Sequence, residues 1–464
     1  MSAAKPDVLV VGAGPAGLAA ALAARRAGGS VVLLDAAADV GGQFWRHLPP
    51  ERPAERERLL HHGWERFTAL RRALVEDPQC EVVTNGQVWM VERRGGGVPR
   101  VHVLEGPADG MDRRRRVFEP GALILATGAA ERTLPFPGWD LPGVYTAGAA
   151  QALAKSERVA VGRNVLVAGA GPFLLPVAAS LLRTGARVAG VLEASRWSRI
   201  ARGWGARPDD LRRKGPELAG YVRDLARNRV PYRTGSAVVA AHGTDRVEAV
   251  TTVRLALDWS PIAGTERRIS VDAVCVSHGF VPRAELAVAA GCRTGPDGSV
   301  TVDRLGRTTV DGVFAAGELT GVGGSDLALA EGTIAGTAAA GGTPTEGARR
   351  ARAIHLRFKA RLEAAHGIGP GWKQWLTGDT VVCRCEDVTV GDIRGTAAAT
   401  ESRGLRSLKL STRAGLGPCQ GRVCGRTVEE LLQGQGLLDG GRTGNRPIAA
   451  LVRLGELADL EDEE

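Results

Sequence analysis

Four cysteines near the C-terminus carry the most evident chemistry in this sequence. Cys383, Cys385, Cys419 and Cys424 fall within 42 residues, as C-x-C, 33 intervening residues, then C-x4-C. Four thiolates closed over a long loop suit either zinc or an iron–sulfur cluster. Zinc sites usually open with C-x2-C or wider, because adjacent tetrahedral positions need that reach. C-x-C instead suits a cluster that offers two iron atoms to alternating side chains. Zinc and unligated cysteines remain the alternatives. Arg384, Arg422 and Arg426 stand beside these positions and fit an anionic centre. Thr389 and Asp392 have the spacing of a capping box, and a further helix is expected over Thr427–Leu432. Both helix N-termini would favour thiolate charge.

Glycines form the second chemical pattern. Val8–Val11 reads as a strand buried on both faces, followed by Gly12, Gly14 and Gly17 in G-x-G-x-x-G spacing with Pro15 and Ala16 between them. A helix is expected to about Arg26, then a strand Val31–Leu34 ending in Asp35. Gly12 permits the tight turn, Gly14 lets backbone approach a diphosphate, and Gly17 lets helix pack close on strand. The helix N-terminus offers free N–H groups to the diphosphate, and Asp35 is placed to accept from the adenosine ribose. From Asn164 the pattern recurs: strand, Gly169, Gly171, helix, strand and terminal Glu193, 157 residues after the first. Leu174 replaces the third glycine, so the repeat is either an adenine-nucleotide site or a vestigial fold. Glu193 would favour a free 2′-hydroxyl, although Arg196 and Arg199 lie nearby.

Other segments must position these groups. Gly41-Gly42-Gln43 follows Asp35, and the sequence ALILATG at 122–128 reads as a buried strand stopping at Thr127-Gly128. Near residue 308, TTVDGVFAAGELTGVGG reads as a strand ending at Gly317-Glu318, with a helix over Asp326–Ala340 aimed back at the cofactor. Asp272–Arg283 reads as the strand and turn that return the chain from the insert.

Composition limits the classes. Glycine is 63 of 464 residues, about twice the usual ~7%, without a collagen period. The net charge of +9 is spread along the chain, and aromatics are only 4%, which disfavours a nucleic-acid stripe. Arg113–Arg116 is expected as a solvated hairpin tip between strands Val98–Leu104 and Ala122–Ala126. Seven cysteines in this length are no disulfide framework, and Cys80, Cys275 and Cys292 read as buried small hydrophobes. No signal peptide or 18-residue apolar run is evident, so a cytoplasmic protein is expected. The acidic final residues read as a frayed end. His61 and His62 are expected at the surface of an arginine-rich helix, Trp372 and Trp375 as linker packing, and Arg349–Ala365 as a solvent-facing helix. His278, near the returning turn, is a candidate to approach the bound cofactor. No C-x-x-C redox dithiol is present, and no acid–base pair presents itself, so catalytic residues stay unassigned.

The set of glycine motifs resembles the two-dinucleotide-binding-domain flavoproteins, the glutathione reductase-like class. That resemblance implies an α/β fold of two Rossmann-like domains, the second inserted in the first. FAD would be held by Gly12, Gly14, Pro15, Ala16, Gly17, Asp35, Gly42, Gln43, Thr127, Gly128, Gly317 and Glu318. Glu318 stands where the class usually has aspartate. Gly169, Gly171 and Glu193 would take the second adenine nucleotide, NAD or ATP. The cysteine module resembles the bacterioferritin-associated ferredoxin-like [2Fe–2S] domain, with C-x4-C in place of its usual C-x2-C. GGQFWR (41–46), ATGAAERTLPFPGW (126–139), GPFLLPVAASLL (171–182), CRCEDVT (383–389) and GPCQGRVCG (417–425) resemble the α subunits of heteromeric flavoprotein dehydrogenases. Opine oxidase, dye-linked proline or hydroxyproline dehydrogenase and hydrogen cyanide synthase belong to that group. The resemblance implies Cys383, Cys385, Cys419 and Cys424 as cluster ligands and a flavin-containing β subunit, amine or amino-acid oxidase-like, that oxidises a CH–NH bond. It also implies an FMN at the interface. A free-standing NAD(P)H-dependent acceptor reductase and a non-enzymatic assembly subunit are the competing readings. The expected boundaries are 1–155 with 285–345, an insert at 156–284, a linker at 346–379, a small helical cluster domain at 380–440 and a tail at 441–464.

Overall fold

The computed structural model describes residues 4–49, 51–52, 57–93, 95–205, 208–402, 404–433 and 448–458. The acidic end of the chain and the last residues expected in the cluster domain lie outside the described residues. The chain forms two compact units, Met1–Ala130 with Phe280–Lys359 and the residues after 443, and Glu131–Gly279 with Ala360–Thr443.

The first unit is built on a five-stranded sheet in the order Val313–Ala315, Ala122–Leu125, Val8–Val11, Val31–Leu34, Cys80–Val83, all parallel. The run Val8–Val11 is buried throughout because alternate side chains serve different faces. Val8 and Val10 pack beneath the helices, whereas Leu9 and Val11 pack under an antiparallel sheet of Gly86–Glu92, Arg100–Glu105 and Arg114–Phe118. Each such buried Val or Leu contributes about 1.5–3 kcal/mol relative to exposure. Helix Pro15–Arg26 packs on helix Ser325–Ala339 with almost no side chain between them, since a Cβ at Gly332 or Gly336 would overlap the carbonyl of Ala16 or Ala20.

The arginine run is not a solvated tip. Arg114–Phe118 is the third strand of the antiparallel sheet, and Arg114 and Arg116 are matched by carboxylates from neighbouring segments. Arg116 Nη1 lies 2.6 Å from Glu81 and 2.8 Å from Glu105, and Arg113 makes a two-pronged contact with Glu456 at 2.7–2.8 Å. His61 also departs from expectation: it is buried, with Nε2 2.8 Å from Glu57 Oε2, while His62 is exposed. Cys80, Cys275 and Cys292 are buried.

The second unit repeats the architecture, with parallel strands ordered Tyr232–Thr234, Arg187–Glu193, Asn164–Gly169, Ala273–Ser277, Val144–Thr146. Because Val144–Thr146 pairs with Ala273–Ser277, the residues from Glu131 belong here, ahead of the expected boundary at 156. The cysteine module forms a hairpin, Val381–Cys383 with Val388–Thr389, and helices Val390–Thr400, Leu405–Thr412 and Gly425–Gln433 around its own apolar core. The expected capping box of Thr389 and Asp392 is present. Among the described residues no helix is long and apolar enough to cross a membrane.

Candidate cofactor sites

At the first glycine turn the backbone is packed to the limit. Gly12 has φ +103°, and a Cβ there would strike the Ala126 carbonyl; one at Gly17 would overlap the carbonyl of Gly12. Pro15 opens the helix, where its missing N–H costs nothing. Leu18 N–H reaches Gly14 O at 2.9 Å, an α-helical bond from the first turn onward. The 41–43 loop folds onto this turn: Gly41 N–H donates to Ala13 O at 2.8 Å, and a Cβ on Gly42 (φ +58°) would lie 2.8 Å from Gly14 Cα. Two bare backbones thus face each other, while Gln43 is exposed beside them. Asp35 accepts N–H bonds from Ala13 (2.6 Å) and Ala37 (2.8 Å), yet stays partly exposed at the strand end. Burial nevertheless holds its carboxyl above the ordinary value.

A third turn closes on the same place. Gly317 (φ +76°) lies between the starts of two helices, so a Cβ there would meet Ala16 at 2.7 Å and Ala328 at 3.4 Å. Glu318 accepts the N–H of Gly324, just ahead of helix Ser325–Ala339, and burial raises its carboxyl above the ordinary range. Both helices therefore direct their N-terminal ends toward the Gly317 turn, which suits a diphosphate. Thr127 donates its hydroxyl to Arg283 O at 2.7 Å, and Gly128 accepts from Arg283 N–H at 3.0 Å, which ties the end of strand Ala122–Leu125 to the returning chain. The residues present fit a dinucleotide cofactor.

Sequence reasoning missed the residue that fixes the third turn. Glu331, 5% exposed, accepts from Gly317 N–H (3.1 Å), Thr320 Oγ1 (2.7 Å) and Arg352 Nε (3.1 Å). Its signal was an acid set in the otherwise apolar helix stretch LALAEGTIAG. Asp39 was missed as well. It joins His47 (3.2 Å) and Arg71 (3.3 Å) beneath the 41–46 loop.

The second glycine turn is built differently. Gly169 (φ +145°) is pressed on the Ser277 carbonyl much as Gly12 is on Ala126. The helix begins only at Leu174, and Leu174 and Leu175 N–H bond to Gly171 and Pro172 O, three residues back rather than four. Glu193 has no exposed surface. Its Oε2 accepts from Gly171 N–H at 2.8 Å, and its Oε1 from Ser195 N–H at 2.9 Å. His278 is buried between Trp259 and Trp375, and burial pushes its pKa down to about 3, which leaves it neutral.

In the module, the four thiols associate in two pairs. Cys385 touches Cys419, and Cys383 touches Cys424. Among the described residues no three side chains converge as ligands of a single metal ion would. Burial opposes charge on Cys419, but N–H groups of Val423, Gly421 and Arg422 bring its thiol below the ordinary value. Cys383 and Cys424 are buried, Cys419 is half-buried and Cys385 is exposed. Gly417 has to be glycine, since a Cβ there would overlap that of Cys385. The donor set fits a [2Fe–2S] cluster. The module is held by Trp139, whose Nε1 donates to Val381 O at 2.6 Å while Arg384 stacks on its ring at 5.0 Å. Lys373 Nζ adds a bond to Glu430 O at 2.7 Å, and Arg132 pairs with the Glu430 carboxylate.

Comparison with known proteins identifies both parts of the chain. Residues 6–341 match the family described as pyridine nucleotide-disulphide oxidoreductase, and residues 381–434 match the BFD-like [2Fe-2S] binding domain. An opine oxidase subunit from Rhizobium meliloti is 33% identical, over 98% of this chain and 87% of its own length. Hydrogen cyanide synthase subunit HcnB of Pseudomonas aeruginosa is 34% identical, over 90% of each. The crystal structure of L-proline dehydrogenase from P. horikoshii shares the fold, with a TM-score of 0.67 at 19% identity over 98% of this chain and 80% of that one. Relatives this similar along nearly their whole length place the chain in their family: it belongs to the pyridine nucleotide-disulphide oxidoreductases, among the FAD- and [2Fe–2S]-dependent oxidoreductase subunits represented by those of opine oxidase and hydrogen cyanide synthase.

Proposed function

We propose that this chain is the electron-transfer α subunit of a heteromeric dehydrogenase. A flavin-containing β subunit would oxidise a CH–NH bond of an amino acid, imino acid or opine, and this chain would carry the electrons away. The observation that supports this most is the union, in one chain, of a flavin-type cradle with a module of two thiol pairs. Bound flavin handles electrons in pairs and a two-iron cluster passes them singly.

In this reading Gly12, Gly14, Pro15, Ala16, Gly17, Gly42 and Gln43 hold the diphosphate side of FAD, and Asp35 faces its ribose. Thr127 and Gly128 border the cofactor, and Gly317 and Glu318 meet its ribityl and pyrophosphate part. Cys383, Cys385, Cys419 and Cys424 ligate the cluster. An FMN between the subunits belongs to the reading through the resemblance to the dehydrogenase group. The buried free thiols of Cys80, Cys275 and Cys292 favour a reducing, cytoplasmic setting.

Anaerobic purification with the co-expressed flavin-containing partner tests this. The expected outcome is flavin, two irons and two sulfides per chain with a stoichiometric partner, and substrate-dependent flavin bleaching only when the partner is present. A single zinc, or full substrate oxidation by this chain alone, would overturn it.

A further inference from the structure

A doubly wound parallel sheet binds its ligand beyond the C-terminal ends of its strands, where the strand order reverses. In the second sheet those ends are Gly169, Glu193 and Ser277, and the reversal falls between strands Asn164–Gly169 and Ala273–Ser277. We infer that this crevice is closed to nicotinamide and adenine nucleotides by the chain's own segment 364–376, which uses it as the seat that mounts the cluster module. The second fold is then a structural platform, and electrons do not enter the chain there from NAD(P)H.

The closure is specific at each atom a dinucleotide would need. Gly171 is the glycine whose bare backbone would face the pyrophosphate, and His366 stands over it, with its Cβ 3.9 Å from where a Cβ on Gly171 would be. The Gly171 N–H that would meet a phosphate is directed instead to Glu193. Glu193, the acid that would bind a ribose, is fully buried, and His366 Nδ1 lies 3.3 Å from its Oε2. Trp204 Nε1 donates to His366 Nε2 at 3.2 Å, so Nε2 accepts and the ring proton sits on Nδ1, facing the carboxylate. The end of the long helix Glu346–His366 is clamped as well, since a Cβ on Gly203 would be 2.5 Å from Ala365 N.

Beyond His366 the seat is aromatic. Trp259 and Trp375 stack with centroids 6.2 Å apart and planes 7° from parallel, and Trp375 Nε1 donates to Trp259 O at 3.2 Å. His278, next to the strand end at Ser277, packs against both rings. The same apolar cluster includes Ala170 of the glycine turn and Ala194 after Glu193. Leu376 packs both on this cluster and on the core of the cysteine module. Seating the segment and holding the module are therefore one packing event, and a nucleotide would have to displace both.

Hydrogen–deuterium exchange on the FAD-loaded protein, with NADH and ATP as probes, decides the matter. In the wild type, exchange across residues 169–175 is expected to stay unchanged on adding either probe, and equilibrium dialysis to find no further bound equivalent. Replacing His366→Gly together with Trp204→Ala should raise affinity for the probes by about tenfold or more. Protection of 169–175 by NADH or ATP in the wild type, with one equivalent bound, would overturn the inference. Should the double variant misfold, the wild-type exchange result still decides. None of these readouts depends on a partner protein or its substrate.

Discussion

The turns at Gly12–Gly17 and Gly169–Leu174 begin from one pattern and reach opposite ends. In both, the first glycine is pressed on the end of a neighbouring strand, and in both an acid closes the second strand. Gly17 lets its helix start at Pro15 with α-helical bonding, whereas Leu174 delays the helix and leaves a three-residue bonding pattern in its first turn. Asp35 takes its N–H from Ala13 and stays partly open; Glu193, one methylene longer, reaches Gly171 and is fully enclosed. One missing glycine, one extra methylene and the His366 that stands over Gly171 separate an open cradle from a closed one. A Rossmann-like sheet is therefore evidence of a fold, and its ligand must be argued from the turn itself.

The hardest test of this contrast is Gly17→Leu, which gives the first turn the residue of the second. Its side chain would overlap the Gly12 carbonyl, and flavin content after gel filtration should fall about tenfold or more. A variant that keeps its flavin would break the comparison. Next in size is Glu331→Ala, which removes the acceptor that Gly317, Thr320 and Arg352 share behind the open cradle. Stability should drop by about 3 kcal/mol, with weaker flavin binding, measured by denaturant titration and flavin release. Glu331→Gln should recover flavin binding in part, since it still accepts from Gly317 and Thr320. Trp139→Phe, on the second unit, loses the bond to Val381 and should cost about 1 kcal/mol, read as faster cluster loss in dilute denaturant.

The smallest effect concerns pH at the 39–47 loop of the first unit. For His47, burial lowers the pKa and is the largest single influence, but the bonds to Asp39 and to Trp45 O, with the Asp39 charge, together outweigh it and the pKa lies above the ordinary value. Its stabilisation is full below the ordinary histidine value and is lost as pH rises through the raised one. Burial also opposes charge on Asp39, whose bonds to His47 and Val40 N–H and the nearby Arg71 hold it below the ordinary value. That contribution is present above the ordinary carboxylate value and fades as pH falls through the lowered one. Flavin retention should therefore be best between the two limits, and His47→Gln should flatten the alkaline side of a retention-against-pH curve.

Much of the frame is legible locally. Val8–Val11 is apolar at every position because a central parallel strand has two buried faces, and Thr389 caps its helix by bonding its own neighbours. Gly12 and Gly17 are readable because backbone contact excludes any side chain. His61 and Arg113–Arg116 misled for the complementary reason. A charged or polar residue is buried only when a partner arrives: Glu57 was within reach of His61 at i–4 on the chain, but Glu81, Glu105 and Glu456 are not announced by the sequence around the arginines they meet. His366 gave no sign at all, being one histidine at the end of an arginine-rich helix.

The sequence by itself determined which backbone segments can turn tightly, which strands are buried on both faces, and that four thiols are available to a cluster. These follow from steric limits and short-range periodicity. Only the tertiary structure decided how the thiols pair, that Glu331 anchors the third turn, and that the second glycine turn is covered by His366 and the tryptophan stack. Those outcomes depend on groups brought together from distant positions. Burial and hydrogen bonding act on atoms adjacent in space, and for these residues neighbours along the chain do not identify neighbours in the fold.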